Sequence, residues 1–242
     1  MIDIHCHILY GVDDGAGFLE EALKMVKVAI DGGTHSIIAT PHCNIEGEVV
    51  NHWCETIENR IAEMNGILNR EDVPMHIYPG QEIYCDDEKQ FLYLLKNNKL
   101  ITLNHSRYPL VEFEFHEKAE SVFEKTGLLI SEGLVPIIAH PERYDFISED
   151  NSLAKELKKS GCLLQVNKAS VTGGFGRSAR HNAFYLLENE LADFVASDAH
   201  SPYKRTPYLA TVDEIISEEF STDYADLLLQ INPQKVIDDK II

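Results

Sequence analysis

The chain begins Met1-Ile-Asp-Ile-His-Cys-His-Ile-Leu-Tyr-Gly-Val-Asp-Asp-Gly15, an apolar strand that carries two histidines and runs into an acidic loop. Alternate side chains of an extended strand share a face, so His5 and His7 point to one side and their apolar neighbours to the other. Two imidazoles on one face suit a metal ion. The motif alone is equally compatible with a solvated strand face, so the rest of the sequence must decide.

Beyond this stretch, short apolar strands alternate with amphipathic helices along the chain. The spacing of apolar residues predicts strands over residues 1–8, 36–40, 75–84, 108–115, 135–139, 162–166 and 194–197, with Pro41-His42-Cys43-Asn44 as the exit loop of the second. Helices are predicted over residues 18–30, 53–68, 91–95, 118–131, 149–159 and 177–189, with two or three more after Thr206.

This alternation implies parallel strands joined by right-handed crossovers, in either a barrel or a doubly wound open sheet. Polar residues follow strand after strand, and a barrel brings all of its strand ends to one face, whereas an open sheet spreads them along a line. We therefore predict an α/β barrel of about seven strands. No linker or repeat divides the chain, so one domain is expected over residues 1–242.

Composition excludes several classes of protein. The 242 residues include 21 Lys and Arg against 40 Asp and Glu, a formal net charge of −19 that disfavours nucleic acid and anionic membrane surfaces. The 5 cysteines form no Cys-x-x-Cys pair, which is typical of a reduced compartment. No apolar run is long enough for a membrane span, and no export signal is present. We expect a cytoplasmic protein.

Histidines and carboxylates within or just after the predicted strands form a candidate metal-binding set. Its members are His5, His7, His42, Glu82, Glu112, His140, Asp198 and His200. Mixed nitrogen and oxygen ligands suit manganese, zinc or iron. The set is too large for one tetrahedral ion, so two or three ions sharing a carboxylate are expected, an arrangement suited to hydrolysing phosphate esters. None of the other histidines combines a strand-end position with a nearby Pro, Asp or Arg signature; they are His35, His52, His76, His105, His116 and His181.

Two arginines follow these ligands closely. Arg143 comes three residues after His140, and Arg205 comes five after His200. Each guanidinium should lie over the metal face, where it can hold two phosphoryl oxygens and stabilise transition-state charge. The alternative is an exposed arginine paired with a neighbouring acid.

Two other motifs are less informative. Cys54-Glu-Thr-Ile-Glu-Asn-Arg60 matches the Cys-x5-Arg pattern of cysteine-dependent phosphatases, but it lies in a predicted helix, lacks glycine and carries two glutamates. We interpret it as a coincidence. Gly173-Gly-Phe-Gly176 predicts a flexible loop rather than a phosphate-binding loop, because no Lys-Ser/Thr follows it.

Together, His5-Cys-His7, His42, Glu82, His140-Pro-Glu-Arg143 and Ser197-Asp-Ala-His200 resemble the polymerase and histidinol phosphatase (PHP) superfamily. The longer motifs at Asp3 to Gly15, Ala39 to His42 and Ala196 to His200 are similar to the bacterial capsule-associated protein-tyrosine phosphatases of that superfamily. The similarity extends from residue 1 to about residue 207. Tyr10 stands where these proteins commonly have proline, and it leaves the ligands untouched.

The resemblance implies a distorted seven-stranded barrel, the PHP fold, with three divalent metal ions, manganese ahead of iron or zinc. It implies one ion held by His5, His7, Glu82 and Asp198, and a second held by Glu82, Glu112 and His140. A third would be held by His42, His200 and an acid of the first loop. We favour Asp14 over Asp13 for this acid, and Glu112 over Glu114 on the fourth strand.

The resemblance also implies an activity. A metal-activated water would hydrolyse phosphotyrosine without a covalent phosphoenzyme, Arg143 and Arg205 would hold the phosphoryl group, and either His42 or a water would protonate the leaving tyrosine. The implied substrate is the tail of a membrane-associated tyrosine kinase that controls capsule or exopolysaccharide synthesis. The alternatives are a PHP phosphatase for histidinol phosphate or a nucleotide, a nuclease, which the charge disfavours, and a non-catalytic metal-binding scaffold. The oligomeric state stays open.

Overall fold

The computed structural model describes residues 1–44 and 50–242 as a ring of parallel strands surrounded by helices. The strands are β1 (Ile2–Cys6), β2 (Ser36–Ala39), β3 (His42–Cys43), β4 (His76–Pro79), β5 (Glu82–Tyr84), β6 (Leu110–Glu112), β7 (Ile137–Ala139), β8 (Leu163–Asn167) and β9 (Phe194–Ala196). The helices are α1 (Leu19–Asp31), α2 (Glu55–Arg70), α3 (Glu88–Lys96), α4 (Ala119–Ser131), α5 (Asp145–Glu149), α6 (Ser152–Ser160), α7 (Lys168–Val171), α8 (Gly176–Glu188), α9 (Ala210–Glu219), α10 (Thr222–Asp226) and α11 (Asn232–Ile237).

The strands form two parallel sheets that continue one another. One has the order β1-β2-β4 and the other the order β3-β5-β6-β7-β8-β9. Because β3 follows β2 and β5 follows β4 after two-residue breaks, the nine segments amount to seven strands. An isolated parallel bridge between Cys6 and Ala199 joins the two ends of the ring, with the His7 amide donating to the Ala199 carbonyl at 2.9 Å. The predicted α/β fold, a distorted seven-stranded barrel, is confirmed.

Two local predictions were wrong. Residues 41–44 were expected to be an exit loop, but His42 and Cys43 form β3 and pair with Glu82 and Ile83 of β5. Residues 75–84 were expected to be one strand, but the strand breaks at Gly80 and Gln81. Close packing explains the glycine at this break, since a Cβ atom on Gly80 would lie 2.7 Å from Ile38 Cγ2. Such contacts between strands depend on tertiary structure and are not visible in apolar periodicity.

Apolar side chains fill both the interior of the ring and the layer beneath the helices. One buried cluster combines Ile4 of β1, Ile38 of β2, Leu110 of β6, Ile137 of β7 and Phe194 of β9, strands from all sides of the ring, so it occupies the interior. Two further clusters lie between the strands and the surrounding helices. This packing leaves one end of the barrel to polar residues. None of the helices in the two described ranges is long and apolar enough to cross a membrane.

Candidate metal centre

The predicted ligands all lie at the carboxyl ends of the strands. His5 is in β1, His42 is in β3, Glu82 begins β5 and Glu112 ends β6, while His7, His140, Asp198 and His200 follow strands. His140 and Asp198 have left-handed backbones, with φ of 37° and 49°. Such conformations are uncommon outside glycine, and histidine and aspartate tolerate them better than most residues. These turns direct both side chains back over the end of the barrel.

Glu82 lies at the centre of the cluster and is buried. Its Oε2 atom is 3.1 Å from His5 Nε2, 3.2 Å from His7 Nε2 and 3.0 Å from His42 Nδ1. Its Oε1 atom is 3.1 Å from His140 Nε2. One carboxylate therefore contacts four imidazoles from three strands: two from β1 and its exit, one from β3 and one from the turn after β7.

Three more carboxylates complete the cluster. Asp198 Oδ1 lies 3.6 Å from His5 Nε2 and 3.5 Å from His7 Nε2. Glu112 Oε1 lies 3.5 Å from His140 Nε2, and its Oε2 lies 3.8 Å from His42 Nδ1. Asp14 Oδ1 lies 3.3 Å from His200 Nε2 and 3.6 Å from His42 Nε2. The structure thus brings every predicted ligand into one site, with His42 between Glu82 and Asp14.

The residues of this cluster fit divalent metal ions. Ligand atoms about 2.1 Å from one tetrahedral ion lie roughly 3.4 Å apart, close to the separations observed. Three buried atoms at the site, His42 Nδ1, Glu82 Oε2 and His200 Nε2, lie close to other ligand atoms but make no hydrogen bond of suitable geometry within the described residues. Buried polar atoms are costly when unpaired, and metal coordination would satisfy all three. The assignment of individual ligands to individual ions stays a prediction.

The electrostatics of the cluster favour cations. Burial alone would lower the pKa of His5, but the carboxylates of Glu82 and Asp198 raise it to about 9. Burial also opposes ionisation of Asp198, yet the neighbouring histidines and Arg205 hold its pKa well below the usual range. Burial, together with the charge of Glu82, raises the pKa of Glu112 to about 8. Metal ions would replace the protons that these crowded groups otherwise share.

Residues around the cluster orient the ligands. Gln165 Oε1 is 2.8 Å from His5 Nδ1, and the Asn167 amide donates to Asp198 Oδ2 at 2.5 Å. The sequence did not lead us to predict a role for either residue. They stand at alternate positions of β8, a pattern that indicates polar groups on one face of a strand. Such contacts fix the orientation of a metal-ligating side chain.

The two adjacent aspartates differ in their surroundings. Asp13 Oδ2 lies 2.8 Å from His7 Nδ1 and accepts the His42 amide at 2.9 Å, while Oδ1 accepts the Gly15 amide at 3.0 Å. Both carboxylate oxygens of Asp13 are therefore already hydrogen-bonded to other groups of the protein. Asp14 instead faces His42 and His200, with its side chain 68% exposed. This geometry favours Asp14 as the ligand and gives Asp13 a role in orienting His7.

We expect replacement of these aspartates to have different effects on metal binding. Asp14→Ala should lower the metal content by about one ion per chain, because a direct ligand is lost. Asp13→Asn should retain the ions at saturating metal but weaken metal affinity by about tenfold to a hundredfold, as expected for a residue that orients a ligand. Elemental analysis and metal titration of both variants test this, and a reversed pattern would make Asp13 the ligand.

The fourth strand offers a similar choice between two glutamates. Glu112 is partly buried and faces His42 and His140 in the cluster. Glu114 is exposed and accepts a hydrogen bond from the Tyr84 hydroxyl at 3.3 Å. Glu112 is therefore the better placed of the two for metal binding.

Both predicted arginines reach the cluster. A cavity of about 150 Å³ lies over the centre and is lined by His42, Glu82, Glu112, Phe115, His140, Arg143, Asp198 and Arg205. Arg205 Nη2 is 2.6 Å from Asp198 Oδ1, and Arg143 Nη1 is 3.8 Å from Asp198 Oδ2. A tetrahedral anion in this cavity would meet two guanidinium groups beside the metal ligands.

The Cys-x5-Arg match does not form a phosphate-binding loop. Cys54 is the exposed residue before α2, and residues 55–60 are helical. The Arg60 side chain donates to the Gly11 carbonyl at 3.2 Å instead of turning towards Cys54.

Six histidines were not predicted to bind metal. None of them belongs to a metal-ligand group among residues 1–44 and 50–242.

Sequence comparison assigns the family. The profile of a family described as capsular polysaccharide synthesis, CpsB/CapC, matches residues 1–238. The chain belongs to the CpsB/CapC family. Two relatives of this CpsB/CapC chain are the tyrosine-protein phosphatase YwqE of Bacillus subtilis, 36% identical over 95% of this chain and 92% of YwqE, and the tyrosine-protein phosphatase CpsB of Streptococcus pneumoniae, 32% identical over 100% of both chains.

Solved structures agree with the CpsB/CapC assignment. A crystal structure from work on YwqE and S. pneumoniae CpsB, described as unique metal-dependent tyrosine phosphatases, has a TM-score of 0.91 and 34% identity over 100% of this chain and 96% of that one. A histidinol phosphate phosphatase of Lactococcus lactis has a TM-score of 0.58 at 15% identity, covering 94% of each chain. At this identity the likeness concerns the fold alone. The predicted resemblance to the capsule-associated tyrosine phosphatases is confirmed.

Proposed function

We propose that this chain is a metal-dependent protein-tyrosine phosphatase whose substrate is the phosphotyrosine tail of a tyrosine kinase in capsule or exopolysaccharide synthesis. The observation that carries the proposal is the convergence of the predicted metal ligands and two arginines on one cavity. Relatives that align with nearly the whole chain are named tyrosine-protein phosphatases. Cytoplasmic location, a single catalytic domain and action next to a membrane-associated kinase belong to the same proposal.

The proposed centre holds three divalent ions, with manganese expected first and iron or zinc as alternatives. His5, His7, Glu82 and Asp198 would hold one ion, Glu82, Glu112 and His140 a second, and Asp14, His42 and His200 a third. When bound, such ions lower the pKa of water and neutralise phosphoryl charge, which supplies a nucleophile for hydrolysis.

The residues of the chain have separate tasks in this reaction. Arg143 and Arg205 bind phosphoryl oxygens through their N–H groups and stabilise the charge that develops on them. Burial of Glu82 and Asp198 excludes bulk water from the inner wall of the cavity. His42 is 19% exposed at the edge of the cavity. If one of its ring nitrogens holds the third ion, only the other nitrogen can supply a proton to the leaving phenolate, and a water is the alternative donor. Phenol has a pKa of about 10, so this proton is of modest importance.

Chelation should abolish activity, and replacement of the exposed cysteine should not. We expect a chelator to lower turnover of a phosphotyrosine peptide by at least about a hundredfold and Mn²⁺ to restore it, because bound ions generate the nucleophile. Cys54→Ser should retain full activity, with weak inhibition by vanadate, because Cys54 lies outside the cavity. Peptide assays before and after chelation, with elemental analysis, measure these effects.

The substrate class is tested by parallel assays on phosphotyrosine peptide, histidinol phosphate and a nucleotide monophosphate. Preference for either small phosphate would replace the tyrosine phosphatase proposal with another phosphomonoesterase. Failure of the manganese-loaded protein to cleave any of the three would favour the scaffold interpretation.

A further inference from the structure

The glycine-rich segment Gly173 to Gly176 forms a hydrogen-bonded turn that presents one aromatic side chain. The Gly174 amide donates to the Ala169 carbonyl at 2.7 Å, and the Gly176 amide donates to the Gly173 carbonyl at 3.2 Å. Gly173 and Gly176 have φ of 85° and 90°, which glycine adopts without a steric cost. Phe175 is therefore carried by a turn in which the residues before and after it, Gly174 and Gly176, are both held by backbone hydrogen bonds.

The aromatic rings of Phe175 and Phe115 both make cation–π contacts with the guanidinium group of Arg143. The Arg143 Cζ atom lies 4.4 Å from the centroid of the Phe115 ring and 4.4 Å from that of the Phe175 ring. Phe115 follows β6 and lines the cavity over the metal centre, whereas Phe175 belongs to the turn before α8. The two rings come from elements distant in sequence, and both approach the same cation.

This arrangement leaves the donors of Arg143 available. Arg205 is held by a 2.6 Å ion pair with Asp198, but the Arg143 guanidinium is 3.8 Å from the same carboxylate. Aromatic rings attract a cation through their faces and accept none of its in-plane hydrogen bonds. Two rings that both lie 4.4 Å from Cζ can therefore restrict the orientation of the guanidinium while its N–H edge stays free for an anion.

We propose that Phe115 and Phe175 are positioning residues that clamp Arg143 over the metal centre with its N–H edge towards the phosphoryl group. The inference rests on the proposed function, because it assigns these residues to the phosphate site of the same reaction. It also gives a role to the glycine-rich turn, whose backbone carries one ring of the clamp.

The test is calorimetric titration of the Mn²⁺-loaded protein with inorganic phosphate. Phe175→Leu keeps an apolar side chain but removes the aromatic face, so phosphate should bind about fivefold to tenfold more weakly. Phe175→Tyr keeps the face and should bind within about twofold of the wild type. Phe115→Leu should weaken binding in the same direction as Phe175→Leu, which provides a second test if one variant folds poorly.

Two controls separate positioning from general packing. Phe184 of α8 stacks on Arg180 with the Cζ atom 4.6 Å from the ring centroid, outside the metal cavity, so Phe184→Leu should leave phosphate binding unchanged. In an Arg143→Gln background, Phe175→Leu should cost at most about twofold more, because the closer cation is gone. Only the longer contact of Phe175 with Arg205, 5.7 Å from Cζ to the ring centroid, remains. Thermal unfolding of each variant checks that it is folded.

The inference is overturned if Phe175→Leu binds phosphate like the wild type, if its full effect persists in the Arg143→Gln background, or if the wild type does not bind phosphate. The readout is binding, so it does not depend on turnover. A protein that shows the predicted binding pattern but cleaves no phosphotyrosine peptide would contradict the proposed function and leave the clamp intact.

Discussion

Glu82→Gln is expected to lower turnover of a phosphotyrosine peptide by at least about a thousandfold and to remove most of the bound metal. Glu82 is buried and contacts imidazoles from β1, from β3 and from the turn after β7. Glutamine keeps the size of the side chain but loses the negative charge and one of the two acceptor oxygens. It cannot bridge two cations as a carboxylate does, so more than one metal position is affected at once.

Glu114→Gln is the matched control for this change. Glu114 lies in the segment after β6, is exposed, and contacts the Tyr84 hydroxyl instead of the cluster. The same substitution there should leave activity and metal content near those of the wild type. Elemental analysis and peptide turnover should be measured on both variants. A Glu82→Gln protein that keeps its full metal content and activity would contradict a bridging role.

The sequence was sufficient to predict which histidines and carboxylates would converge because of how parallel barrels are built. His42, Glu82 and His140 are far apart in the chain, but each stands at a strand end, and the topology brings such ends to one face. The types of residue then restrict the chemistry, since imidazole and carboxylate together suit divalent transition metals. Fold class and the composition of the site therefore follow from periodicity and residue type.

Details that depend on the three-dimensional path of a loop could not be predicted from the sequence. Asp13 and Asp14 are chemically identical neighbours, and only the turn of the first loop directs one to His7 and the other to His200. The packing that requires glycine at position 80, in the break between β4 and β5, is likewise a tertiary contact. The contact of Phe175 with Arg143 joins a turn to a strand-end loop, and no local pattern in the sequence records such a pairing.

Arg205→Met is expected to lower kcat by about a hundredfold to a thousandfold with metal content unchanged. The Arg205 guanidinium lines the cavity beside Asp198, where charge develops on the phosphoryl oxygens during hydrolysis. Methionine fills a similar volume but donates no hydrogen bond. The Arg205 carbonyl accepts the His200 amide at 2.9 Å through the backbone, so the loop that carries His200 keeps this contact in the variant.

Arg180→Met provides the matched control, because Arg180 is an exposed arginine of α8 outside the metal cavity. Its kcat should stay within about twofold of the wild type, the range expected for a surface change away from the site. Comparing the activity and metal content of Arg205→Met with those of Glu82→Gln shows which role Arg205 has. If both Glu82→Gln and Arg205→Met lose activity but only Glu82→Gln loses metal, Arg205 acts on the phosphoryl group. If Arg205→Met also loses metal, its function is instead to hold Asp198 in place, and the assignment to transition-state charge is wrong.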